Sequence, residues 1–109
     1  RHRRDLPSGV EAMRYLTLSA DYIDPSLREE SEGHLVIDRA GLPVDLVARI
    51  VAWNADYQVV VPLGLSERRS LAGHIDELDA RGMSLAAEIE RALAPSRVRY
   101  YSEGWLTYL

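Results

Sequence analysis

The chain has 109 residues, 47% of them hydrophobic and 28% charged, with no cysteine and a formal net charge of -4. That length supports one domain with a single modest core, and the composition argues against disorder. The lack of cysteine excludes disulfides, thiol nucleophiles and thiolate metal sites. No apolar run approaches the ~20 residues of a membrane span and no signal-peptide core is present, so a cytoplasmic location away from membranes is expected.

All 13 basic residues are arginine, which suits a GC-rich genome as well as a need for bidentate contacts. Residues 1–12 hold three arginines against two carboxylates, and the rest holds ten against fifteen, a body of -5. An acidic body repels phosphate and favours basic partners, so no nucleic-acid partner is expected.

Arg1-His2-Arg3-Arg4 and Pro7-Ser8-Gly9 show no apolar period. Met13 is read as the native start, with 1–12 a disordered extension, either upstream sequence or a cloning remnant, and 13–109 one domain. Arg14–Leu18 alternates as a strand does. Asp21-Tyr22-Ile23-Asp24-Pro25-Ser26 is turn chemistry, and Ser26 is placed as the cap of a short turn through Arg28, Glu29 and Glu30. Gly33 ends this segment and His34–Asp38 reads as a short strand or extended piece.

Pro43 fits the first position of a helix, with Asp45 in its first turn. Leu46, Val47, Ile50, Val51, Trp53, Tyr57, Val60 and Val61 share one broad face. A helix so apolar is expected between a second helix and a sheet. The Val59–Val61 run favours an end near Tyr57, and Pro62 and Gly64 break the helix in either case. A longer helix is predicted over Glu67–Leu93, ~40 Å in length, capped by Ser66 and stopped by Pro95 and Ser96. Its stripe is Leu71, Ile75, Leu78, Leu85, Ile89 and Leu93, and Gly82 sits in that stripe for close approach to the first helix. Val98–Tyr101 and Trp105–Leu109, split by Ser102-Glu103-Gly104, form a terminal hairpin. The predicted fold is α+β, a long antiparallel helix pair on a small sheet, in the order β-(β)-α-α-β-β.

No GxGxxG, GxxxxGK, HExxH or GxSxG motif occurs, and neither His34 nor His74 has a nucleophile at an informative spacing. No catalytic residue, metal site or cofactor is expected. The carboxylates Asp21, Asp24, Glu29, Glu30 and Glu32 lack calcium-loop spacing and read as a partner-facing acidic loop. Asn54 lies among Val47, Ile50, Val51 and Tyr57, so a buried structural hydrogen bond to the sheet or to the 21–32 loop is expected. Tyr100, Tyr101, Trp105 and Tyr108, beside Arg97 and Arg99, resemble an interface anchor, with Tyr101 and Trp105 expected to bind the partner.

From Met13 onward, Gly41-Leu42-Pro43, Trp53-Asn54 with Tyr57, Pro62-Leu63 and Arg99-Tyr100-Tyr101-Ser102-Glu103-Gly104 together resemble small, largely uncharacterised bacterial proteins of about this length. Some acidic proteins of this type are immunity proteins that cover the active site of a toxin domain, which implies a protein partner. The shared residues are packing and turn residues, so no residue role is carried over. The expectation is a non-catalytic, immunity- or antitoxin-like interaction module that meets a basic protein, such as a toxin domain, through its acidic surface. The alternatives are a homo-oligomeric structural or regulatory subunit joined through the aromatic hairpin, and a small enzyme or ligand-binding domain with Asn54, Tyr57 and Arg99 around a pocket.

Overall fold

The computed structural model describes residues 12–109, so the expectation for the first twelve lies, Ala12 apart, outside the described residues. Alternation builds the sheet. Strand β1 (Arg14–Ser19) buries Leu16 and Leu18 and turns Tyr15 and Thr17 outward. β2 (Ser26–Glu29) pairs antiparallel with β1, placing Leu27 opposite Leu18 on the inner face. β3 (Gly33–Leu35) continues antiparallel beyond β2. On the other side β4 (Ser96–Ser102) lies parallel to β1 with Tyr100 opposite Leu18, and β5 (Thr107–Tyr108) closes the order β3-β2-β1-β4-β5.

Parallel neighbours need a long crossover. Between β1 and β4 it contains β2 and β3 and then a 3₁₀ turn at Ile37–Arg39 and helices α1 (Val44–Tyr57), α2 (Leu65–Ser70) and α3 (Ala72–Ala92). The chain is α+β. Arg49 on α1 grips Glu88 on α3 through two contacts of 2.7 Å, and Asp56 meets Arg81 at 2.9 Å. The partner numbers fall as those on α1 rise, so the two helices run in opposite directions. Leu16, Leu18, Leu27, Ile50, Trp53, Ile75, Leu78 and Ile89 fill the space between the helices and one face of the sheet.

Several expectations need correction. Ser26–Glu29 is a paired strand rather than a capped turn; only Leu27 marks it as apolar, and the pairing with β1 overrides its weak local preference. His34–Asp38 divides between β3 and the 3₁₀ turn. The long helix breaks at Leu71. Ser70 Oγ donates to the Glu67 carbonyl at 2.6 Å, occupying the acceptor a continuous helix would offer Leu71, whose N–H turns to Arg68 instead. The first segment begins after Gly64, whose N–H donates to Glu67 at 3.0 Å, so Ser66 is not the cap. Trp105 lies in the turn before β5. Nor is α1 wedged between the other helix and the sheet: α3 makes the close approach itself, with Gly82 against the Tyr100 ring.

That approach is tied down by a buried carboxylate. Asp79 on α3 is 2% exposed. Its Oδ1 accepts from Tyr57 at 2.8 Å and from Tyr100 at 2.5 Å, and its Oδ2 accepts from Ser102 at 2.7 Å. The Tyr57 hydroxyl accepts in turn from the Gly104 N–H, and Ser102 Oγ from the Trp105 N–H. Arg68, itself buried, donates to the carbonyls of Val61, Leu63 and Glu103 and so pins the hairpin turn to the interhelical link.

Two outcomes follow from this geometry. A Cβ at Gly82 would lie 2.3 Å from Tyr100 Cε1 and 2.6 Å from its Cζ, and Asp79 keeps the ring from swinging away. G82A is therefore expected to destabilise the fold by about 2 kcal/mol in urea denaturation, despite the ~1 kcal/mol that alanine gains over glycine within a helix. Burial, and then donation to Asp79, push the Tyr57 hydroxyl up to about 12, and the same two causes raise Tyr100. The folded chain then holds a proton that the unfolded chain loses near pH 10. The stabilisation is complete below about pH 10 and is lost as pH rises toward 12. Thermal melting across that range is expected to fall steeply for the native chain and less steeply for Tyr57→Phe.

Candidate functional site

The β1–β2 connection is the most tightly specified exposed segment. Asn54 and Gln58, one turn apart at the end of α1, both reach it. The Asp21 N–H donates to Asn54 Oδ1 at 2.9 Å, and Asn54 Nδ2 donates to the Ile23 carbonyl at 3.1 Å. The Ile23 N–H donates to Gln58 Oε1 at 3.2 Å, and Gln58 Nε2 donates to the Asp21 carbonyl at 2.8 Å. Within the turn, the Asp24 N–H donates to the Tyr22 carbonyl at 2.8 Å.

This double clamp imposes an unusual backbone. Ile23 sits at φ 71°, the left-handed region that a β-branched residue rarely adopts. Such strain persists only where the surroundings over-determine it, and it gathers at functional positions. Burial of the side chain does not explain it, since Ile23 is 73% exposed and Tyr22 is 65% exposed. Asp21 and Asp24 flank the pair, both exposed. Beside Asp24 opens a depression of about 220 Å³ lined by Pro25, Leu35, Val36 and Val51 among others. Val36 and Val51 are exposed, so the apolar surface continues from the tip toward α1, with Asp38 at its margin. An apolar centre with a charged rim is the anatomy of a protein contact.

The five carboxylates expected on one acidic loop do not share a surface. Asp21 and Asp24 lie where β1 hands over to β2. Glu30 and Glu32 lie in the turn at the opposite end of β2, a strand's length or roughly 13 Å away. Glu29 leaves the set altogether. It points inward, 7% exposed, and receives Arg14 in a fork of two 2.8 Å hydrogen bonds. Those bonds hold its carboxyl below the usual glutamate range, and no partner can reach it without breaking them.

The hairpin aromatics are engaged with one another and with α3. Tyr101 is half-buried with its ring edge-on to Tyr108 at 5.0 Å, and Trp105, also half-buried, donates from Nε1 to Asp76 at 2.9 Å. Asn54, Tyr57 and Arg99 do not surround a common pocket: Asn54 serves the turn, Tyr57 serves Asp79, and Arg99 lies over the Tyr108 ring on the outer face of the sheet. His34 and His74 are exposed on different elements. Among the described residues no group of three or more His, Asp or Glu is arranged to hold a metal ion, and no helix is long and apolar enough to cross a membrane. The cluster of polar groups around Asp79 is closed to solvent.

Sequence reasoning missed Tyr22, Ile23 and Gln58. The available signal was the pair of bulky apolar residues inside Asp-Tyr-Ile-Asp-Pro, where turn chemistry offers no reason for them. Comparison with family models, curated proteins and solved structures finds no match to this chain.

The strain can be measured directly. Ile23→Gly keeps all four backbone contacts with the clamp, loses little burial, and removes a penalty of about 1–3 kcal/mol, against ~0.5–1 kcal/mol of added unfolded-state entropy. A net stabilisation of roughly 1 kcal/mol is expected in chemical denaturation. Asn54→Ala, which removes two hydrogen bonds made by a buried amide, is expected to lose about 2 kcal/mol in the same assay.

Proposed function

We infer that the chain is a non-catalytic interaction domain whose contact with a partner protein centres on the Asp21–Asp24 tip. The observation that carries this reading is Ile23: a bulky residue held in a left-handed conformation by two amide side chains, with its own side chain facing solvent. In the proposed complex Tyr22 and Ile23 enter an apolar recess of the partner, and Asp21 and Asp24 meet basic groups at its margin. Because the clamp pre-sets the backbone, little ordering entropy is lost on association. A basic partner blocked in this way, as in an immunity or antitoxin pair, is the concrete form of the proposal, and an acidic domain of this size suits it. Joining of copies through the aromatic hairpin has less support, because Tyr101 and Tyr108 already pack against each other.

The test is retention of proteins from a native lysate by the immobilised chain at low and high salt. The native chain is expected to retain a discrete protein at low salt. A double variant, Tyr22→Ser with Ile23→Gly, is expected to bind it at least 30-fold more weakly, the loss typical of truncated interface anchors, while melting no lower than the native chain. Asp21→Asn with Asp24→Asn is expected to reduce the dependence on salt. Equal retention by the Tyr22/Ile23 variant, or no retention by the native chain, overturns the reading.

A further inference from the structure

The helices lie on one face of the sheet, and among the described residues no element covers the other. The strand registers fix what it displays. Arg28, Thr17 and Arg99 form one row across β2, β1 and β4, with His34 beyond Arg28 on β3. Tyr15 and Arg97 form the next row, and Ser19, Tyr101 and Tyr108 a third. Arg28, Arg97 and Arg99 are exposed. None of the three makes a carboxylate ion pair among the described residues, whereas the arginines that do pair, Arg14, Arg49, Arg68 and Arg81, all lie elsewhere. Arg39, Arg69 and Arg91 likewise make no such pair and lie on other elements, so the face holds three of the six unpaired arginines among the described residues, set on two of its strands. Glu30 lies beside the rows with that parity, and Glu29 borders the same depression from the other parity.

The face is also shaped. A depression of about 420 Å³ lies over it, lined by Tyr15, Arg28, Arg97, Arg99 and Tyr108 and also by the carboxylates Glu29 and Glu30. The Arg99 guanidinium is held 3.7 Å above the centre of the Tyr108 ring, and Tyr101 braces that ring edge-on. A guanidinium parked on an aromatic face keeps the N–H edges of its fork available for a phosphate.

We propose that this bare face binds single-stranded nucleic acid. Arg28 and Arg99 stand two strand spacings apart, roughly 10 Å, and Arg97 and Arg99 roughly 7 Å apart along β4. That spread suits successive phosphates of an extended strand better than one phosphate group. Tyr15, 52% exposed between Arg97 and Glu30, offers a ring on which a base stacks. The Thr17 hydroxyl, between Arg28 and Arg99, supplies a hydrogen-bonding group between the charges. An acidic peptide fits less well: peptides add to a sheet along its edge, and here the edges are strands of three and two residues, while the charge lies on the face. The carboxylates of the helices sit across the sheet, about 10 Å or more away. At that distance their repulsion of a phosphate is weaker than the attraction of an arginine in contact with it, although the net charge of -4 still lowers the overall affinity.

The experiment is fluorescence anisotropy of the full chain with labelled twelve-nucleotide single-stranded oligouridine, the matching duplex, and an oligoglutamate peptide as probes. Three phosphate contacts predict a salt slope near -2, so affinity for the single strand is expected to fall roughly 20-fold between 50 and 200 mM salt. Arg97→Gln with Arg99→Gln is expected to weaken binding at least tenfold and to flatten that slope, leaving the arginines of residues 1–12 in place as an internal control. Tyr15→Ala is expected to weaken it at least fivefold. These side chains are exposed, and unchanged thermal melting of the variants confirms that folding is kept. Ile23→Gly is expected to leave the affinity unaltered, which separates this face from the tip. No binding at 50 mM salt, equal binding by the Arg97/Arg99 variant, or tighter binding of the peptide or the duplex than of the single strand overturns the proposal.

Discussion

The structure turns on one buried carboxylate. Asp79 sits between α3 and β4 with three hydroxyl groups donating to it, and it is nearly inaccessible to water. Removing a carboxylate from water is costly unless hydrogen bonds replace its hydration, and those to a charged acceptor are the stronger kind. Here the replacement comes from side chains on two different elements, Tyr57 of α1 and Tyr100 and Ser102 of β4. Each hydroxyl is therefore both a partner for the charge and a distance constraint between layers. Among the described residues no buried side-chain polar atom is left without a partner, so the network is complete, the condition under which buried polar groups specify a unique packing.

Close packing follows from that network. Tyr100 can reach Asp79 only because Gly82, one turn along α3, leaves room for its ring. Tyr57 reaches both Asp79 and the Gly104 N–H because Gly104 presents no side chain to it. Trp53 then fills the space between the two tyrosines, with ring centroids 5.8 and 6.0 Å away, and its indole N–H donates to the Leu78 carbonyl. These contacts fix the rotation of α1. Once Tyr57 and Trp53 face the core, Asn54 and Gln58 are carried onto the side of α1 that meets the β1–β2 connection. The clamp on Ile23 is thus a consequence of how the core is keyed, one turn of helix away from it.

Part of this arrangement could be read from the chain. The alternation in Arg14–Leu18 and Val98–Tyr101 marks two strands, Pro43 marks the start of α1, and the apolar period marks the face α3 buries. The rest depends on partners distant in sequence. Ser26–Glu29 carries one apolar residue and becomes a strand only beside β1; Glu29 looks like surface charge until Arg14 is found across the sheet. Asp79 follows Leu78 in the chain, but nothing local marks it as buried, because its donors lie more than twenty residues away. For the tip, the buried amide of Asn54 can be inferred from its helical position. The strain at Ile23 cannot, because φ is set by what Gln58 and Asn54 do to the backbone.

Net charge is the quantity that misleads most, because it is a scalar and the fold makes it a vector. Along β4, Val98, Tyr100 and Ser102 go to the core while Arg97, Arg99 and Tyr101 go to solvent; along β1 and β2 the same parity sends out Tyr15, Thr17 and Arg28. Period-two geometry thus sends Arg28, Arg97 and Arg99 to the bare face, while Arg14, of the inward parity, is taken up by Glu29. Most carboxylates occur in the helices and connections, where no such sorting places them on that face. Two surfaces with different physical constraints result. Residues on the bare face touch little of the core, so their chemistry can change with small effect on stability. The tip is bound to α1 through four hydrogen bonds, so its shape is inherited from the same packing that encloses Asp79.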